Sequence, residues 1–305
     1  MQILLNLFIF CLVLFLYLHI YFNLNTSNDL EIYEINEPSK LRLDEVCDAK
    51  QPVVFEYPND IILSTFTKQN LSRQYGVFDI KVRQTNKKIE ENDQMHIPLT
   101  LNNGIKVIEN EDKKCIIENN NDFLKETGLV KVLKHNDFFI RPPMVSQCNY
   151  DFLIGSGHVK TPLKYDINYR NYFIVTEGNA KIKLAPPRSS KYLYEIKDYE
   201  NFEFRSPVNP WEVQDMYKTD FSKIKFLEVE LKTKQIINIP PYWWYSIEFD
   251  DNTTILKLTY KTYMNTISIM PKLIMKILQN QNIKRKIANT LNNCLDGEIN
   301  SLLEK

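Results

Sequence analysis

The residues able to hold a metal or act as nucleophiles are few in this chain and poorly spaced for either task. Four histidines, His19, His96, His135 and His158, are scattered along it, and none stands at zinc spacing from a cysteine. The soluble ones, His96, His135 and His158, are assigned no metal partner. Cys11, Cys47, Cys115, Cys148 and Cys294 form no Cys-x-x-Cys pair and read as separate free thiols. A pair of opposite charges is more informative. Lys164 and Asp166 lie two residues apart in a segment that reads as strand, so both side chains face the same way. A carboxylate turned into a partly closed space is costly, and an ammonium beside it offsets that cost.

Most of the elements that position this pair read as strands. From 152 to 260 the chain consists of short β-branched or alternating runs punctuated by Pro and Asn, which fits a sandwich or barrel. Residues 171–184 (NYFIVTEGNAKIKL) read as two strands around Glu177-Gly178-Asn179, and 226–239 and 246–260 carry further strand patterns. Earlier, 53–55 predicts a buried strand and 61–74 has helical apolar spacing. The stretch 96–108 alternates around Asn102-Asn103-Gly104, which predicts a hairpin. Residues 121–127 predict a short helix capped by Gly128. Residues 273–295 (LIMKILQNQNIKRKIANTLNNCL) have the i, i+3/i+4 spacing of an amphipathic helix, read as packing against the barrel wall. The predicted class is an all-β core with α+β surroundings.

Two segments allow a resemblance to be stated. Residues 153–187 (LIGSGHVKTPLKYDINYRNYFIVTEGNAKIKLAPP) and 235–247 (QIINIPPYWWYSI) together resemble the JmjC/cupin-like hydroxylases, in the branch of asparaginyl and other peptidyl hydroxylases. Thr161-Pro162, Asp166, Asn171, Gly178, Pro186-Pro187 and Pro241-Tyr242-Trp243-Trp244 carry it. The resemblance spans residues 51–260 and implies a double-stranded β-helix, the jelly-roll barrel of cupins. Members of that family hold Fe(II) with a His-x-Asp pair and a distal His, leaving positions for 2-oxoglutarate and oxygen.

Here the first metal position falls on Lys164, the second on Asp166 and the distal one on Tyr245. The cosubstrate-pocket positions fall on Thr161, Asn171 and Ala180, with Ala180 replacing the oxoglutarate-binding Lys. Trp243 and Trp244 fall on the pocket wall. An ammonium opposes a cation where imidazole would donate to it. Tyrosine ligates iron only as phenolate, and its ordinary pKa is about 10. The expectation is therefore a binding or structural module with no metal and no cofactor. The alternative is an Fe(II)/2-oxoglutarate-dependent peptidyl hydroxylase-like enzyme with a rebuilt site. Lys164 is expected to stand beside Asp166, with the Tyr245 hydroxyl in the same cavity. His158 is the imidazole nearest in sequence to the pocket mouth.

Residues 3–22 (ILLNLFIFCLVLFLYLHIYF) carry no charge and are long enough for the ~30 Å hydrocarbon core at ~1.5 Å per residue. With no basic residue ahead of the run and no small-residue cleavage context after it, a signal-anchor is expected rather than a cleaved signal peptide. The division that follows is a transmembrane signal-anchor at 1–24, a polar stalk at 25–45, the cupin-like domain at 46–262 and a helical segment at 263–305. No basic cluster follows the span, which favours a lumenal or external domain. Asn25, Asn70 and Asn252 would then be glycosylation candidates. The chain is also similar to membrane-anchored cupin-like proteins of large DNA viruses, which implies a viral or host membrane. Lys+Arg and Asp+Glu both number 38, so no nucleic-acid partner is indicated. The expected partners are the bilayer and a protein.

Overall fold

A computed structural model describes residues 1–57, 59–85, 96–110 and 114–285. Strands β1 (Tyr33–Ile35), β2 (Val53–Glu56), β3 (Asp79–Gln84), β4 (His96–Thr100), β5 (Cys115–Ile117) and β6 (Val145–Gly155) come first. Then follow β7 (Lys164–Tyr165), β8 (Arg170–Glu177), β9 (Asn179–Ala185), β10 (Ile196–Asp198) and β11 (Glu203–Arg205). The last are β12 (Leu227–Lys232), β13 (Gln235–Asn238), β14 (Trp244–Phe249) and β15 (Thr254–Thr262). The larger sheet has the order β1-β2-β13-β8-β15-β6-β5-β3-β4, and the smaller one β10-β11-β7-β14-β9-β12. All these pairings are antiparallel except β1 with β2.

From β6 on the chain passes repeatedly from one sheet to the other, and these crossings make the barrel. The chain crosses at β8 to β9, β12 to β13 and β14 to β15. Thus 171–184 is two strands around Gly178, as the pattern predicts, but they pair with different neighbours. Gly178 makes the first corner at φ +75°, and a Cβ there would lie 2.9 Å from the Thr253 backbone. The corners brace one another: the Thr233 hydroxyl donates to the Gly178 carbonyl, and the Thr253 hydroxyl donates to the Asn179 carbonyl.

Period-two alternation sorts the side chains into layers. In β6, Phe152 and Ile154 face one core while Leu153 faces another; in β15, Leu256 and Leu258 oppose Ile255. The interior core joins Leu153, Phe173, Ile237 and Ile255 of the larger sheet to Leu184, Tyr245 and Ile247 of the smaller. The outer face of the larger sheet is covered by helices. After α1 (Gln2–Leu24) these are α2 (Lys40–Asp48), α3 (Asp60–Thr65), α4 (Lys68–Tyr75), α5 (Leu101–Glu109), α6 (Asn121–Glu126) and α7 (Leu129–Asn136). A third core around Tyr165, Phe204 and Trp244 lies on the outer face of the smaller sheet. Near it run α8 (Lys218–Phe221), α9 (Tyr263–Ser268) and a helix over residues 270–285.

Several local expectations change. Asn102-Asn103-Gly104 is not a hairpin but the first turn of α5. Leu101, Gly104, Ile105 and Ile108 recur at helical spacing and are all buried, which overrides the turn signal. The 61–74 pattern divides into α3 and α4 at Phe66, where the Thr67 hydroxyl accepts from the Asn70 N–H and starts a new helix. The polar run 25–45 is not a free stalk throughout. β1 pairs with β2, and Leu43 of α2 enters the core. Residues 286–295 of the amphipathic segment lie outside the described residues, as does the rest of the chain after them.

α1 is exposed along its apolar length, and it is long and apolar enough to cross a membrane. In its final turns one side is covered, with Asn23 buried and His19 and Ile20 partly so. These turns pack on α9, and Leu18, His19 and Phe22 line an apolar groove of about 480 Å³ with Met144, Tyr263 and Met264.

Candidate functional site

The three metal positions implied by the resemblance, Lys164, Asp166 and Tyr245, meet in one part of the barrel interior. Lys164 on β7 lies directly across from Tyr245 on β14, and β11 places Arg205 on the other side of Lys164. Facing them from the larger sheet is Lys257, flanked in register by Asp151 on β6 and Phe173 on β8. Asp166 follows β7, and its carbonyl accepts from the Tyr242 N–H, which fixes the chain just before the Trp pair. Glu118 enters immediately after β5, one residue beyond the buried Ile117.

A lysine does hold Asp166, but it is Lys257 and not Lys164. The Lys257 ammonium donates to Asp166 Oδ2 at 2.7 Å and to the Tyr245 hydroxyl at 3.1 Å. Tyr245 in turn donates to the same Asp166 oxygen at 2.8 Å. Lys164 instead pairs with Glu118 at 3.5 Å, and Glu118 also meets Arg83 at 2.6 Å. The reason for the exchange is position. Lys257 reaches across the barrel from the opposite sheet, whereas Lys164 points past its own neighbour toward a second buried carboxylate.

The electrostatics follow from this pairing. Burial raises the Glu118 pKa, but Arg83 and then Lys164 outweigh it and bring the group down to about 2. Burial likewise opposes ionisation of Asp166, and Lys257 overcomes it, so its pKa falls. Lys257 and Lys164 are both raised against burial, by Asp166 and by Glu118 respectively. Asp151 behaves in the opposite way. Burial raises it to about 6, although the backbone N–H groups of Asn120 and Asn119 hydrogen-bond its carboxylate. The site is not sealed: Asp166 keeps 23% side-chain exposure and Lys164 keeps 17%.

The donor set does not fit Fe(II). One carboxylate faces the position, and it already accepts from an ammonium and a phenol. Burial raises the Tyr245 pKa well above its ordinary value, so the ring stays a phenol rather than a phenolate ligand. Among the described residues no three His, Cys, Asp or Glu side chains group as a metal site. One His-x-Asp triplet, His135-Asn136-Asp137, escaped the sequence reading, and it lies at the end of α7. There Asp137 turns inward to accept from Tyr150 and Tyr260 and to pair with Arg141, while His135 is exposed.

The remaining positions are placed as follows. Ala180 sits in the interior core opposite Phe249, so no cation reaches a cosubstrate from there. The Thr161 hydroxyl accepts from the Ile247 N–H, and the Asn171 amide donates to the Asn168 and Ile239 carbonyls. Both side chains tie strands together. Trp243 packs in the interior core with Tyr245 and donates to the Lys50 carbonyl. Trp244, next in sequence, faces the opposite side and donates to Ser190, so it does not line this cavity. His158 lies by Asp251 and Asn252 in a groove away from Asp166. Among the glycosylation candidates, Asn25 and Asn252 are exposed, while the Asn70 amide donates to the Ser64 carbonyl.

Lys257, Glu118 and Arg83 were missed from sequence. For Lys257 a signal existed: Ile255-Leu-Lys-Leu turns a lone lysine to the same face as the buried Ile255. Glu118 follows Cys115-Ile-Ile with no comparable mark.

Two facing sheets with crossed connections define a cupin-type double-stranded β-helix, here with an ion-paired interior. The cupin-like domain family matches residues 38–263, and the chain belongs to it. No curated protein matches the chain.

Proposed function

We propose that this protein is a membrane-anchored cupin-like module that binds or scaffolds a partner and does not carry out iron-dependent oxidation. The observation that supports this reading is the Lys257 ammonium joining Asp166 and Tyr245. It occupies the carboxylate that the family chemistry needs for metal. α1 supplies the anchor, residues 46–262 the domain and 263–305 a helical segment, in a viral or host membrane. The lack of a basic cluster directly after the span favours a lumenal or external domain. The partner surface is the half-open mouth where Lys164 and Asp166 retain contact with solvent.

The test is metal titration of the full-length protein in detergent, with 2-oxoglutarate turnover followed in parallel. The expected result is no stoichiometric Fe(II) binding and no oxoglutarate-dependent oxygen uptake. Stoichiometric iron with turnover would overturn the proposal in favour of a hydroxylase with a rebuilt ligand set.

A further inference from the structure

We infer that the helix over residues 270–285 lies along the surface of the same bilayer that α1 spans, so that the barrel rests on the membrane by a second, fixed contact. This deepens the proposed anchoring and rests on it. The helix packs on the barrel by one side: Leu273, with Ile269 just before the helix, belongs to the core around Tyr165 and Phe204. A different side is left open. Met270, Ile274, Ile277 and Leu278 recur at i, i+4, i+7 and i+8, and each is about half exposed. Residues 270–285 contain Lys272, Lys276, Lys284 and Arg285 and no acidic residue. Lys272 and Lys276 lie over barrel aromatic rings on the packed side, while the open apolar stripe and the terminal Lys284 and Arg285 have the composition of a helix that lies in the headgroup region.

What assigns the stripe to lipid is its continuity with α1. The last turns of α1 pack on α9, which leads directly into this helix. α1 runs unbroken from its apolar stretch into the docked turns, so where it spans the bilayer those turns hold α9 beside the membrane boundary. Tyr263 and Met144, both largely exposed, stand at that contact. The apolar groove between α1 and α9 opens at the same level, where an acyl chain fits its lining. Charge adds to this attraction where the bilayer surface is anionic.

The experiment uses the full chain in phosphatidylcholine vesicles, with and without phosphatidylserine. Ile277→Trp is measured against lipids brominated on their acyl chains. The expected result is loss of most of the emission the substitution adds, beyond any change in wild type, and greater loss with phosphatidylserine. In wild type, trypsin should cut at Lys276 and Lys284 far more slowly in vesicles than in detergent, and Ile274→Asp with Leu278→Asp should abolish that protection. No added quenching in protein that still resists carbonate extraction would overturn this inference while leaving the anchor intact. Carbonate release would overturn the anchor reading itself. A dimer in detergent that Ile277→Asp returns to monomer, with no quenching in vesicles, would assign the stripe to a second copy and also overturn the inference.

Discussion

The Asp166, Tyr245 and Lys257 triangle is small, and each member has a distinct cost of removal. Breaking a buried ion pair from one side leaves an uncompensated charge. Lys257→Met is expected to destabilise by about 2–3 kcal/mol, below the fully buried range because Asp166 keeps partial access to water. Adding Asp166→Asn should recover most of that loss, and urea midpoints of the two single variants and the double variant would measure the coupling. The same triangle governs metal affinity. Lys164→His with Tyr245→His restores imidazoles at the positions implied by the resemblance, yet Lys257 still neutralises the carboxylate. Fe(II) affinity is expected to appear only when Lys257→Met is added, and calorimetric titration of the double and triple variants checks this. That Lys164 and Asp166 share one cavity was legible because they are two apart in the chain; that they take different partners was not. Lys257 was not legible, because it is 91 residues from Asp166 and meets it only through the closure of the barrel.

At the scale of elements, β5 and β6 bring two carboxylates of opposite behaviour to one end of the larger sheet. Glu118 is lowered from 4.5 to about 2, so its stabilisation is complete above pH 4.5 and is lost as pH falls toward 2. Asp151 is raised from 3.8 to about 6, so its contribution is complete below pH 3.8 and is lost as pH rises through 6. Each is of the order of about 3 kcal/mol. Asp151→Asn is expected to flatten stability between pH 4 and 6 while leaving the acid limb unchanged. Chemical denaturation across that range would show whether it does. The strands themselves were readable from β-branched alternation, and Gly178 marked a turn correctly. Which sheet each strand joins was not readable, since a corner between sheets and a hairpin share the same local chemistry. Likewise, Asn102-Asn103-Gly104 carries hairpin chemistry, and the burial of Leu101, Ile105 and Ile108 outweighs it.

On the scale of the whole molecule, the barrel and α1 are joined through α9. Deleting residues 1–17 is expected to release a folded protein from membranes under carbonate. Deleting residues 1–23 should release it too, but with a lower melting temperature, because Phe22 would no longer cover the groove or stack under the Lys50 ammonium. If either truncated protein resisted carbonate, α1 would not be the anchor. The docked turns have one more consequence. If α1 spans a bilayer as proposed, its clamped last turns give up part of the freedom by which a freely hinged span tilts to suit a thick bilayer. Such a protein should sort laterally, enriching in thin, short-chain regions and being excluded from sterol-thickened ones. Its address within a cell would then be set by a helix–domain contact rather than by a targeting motif.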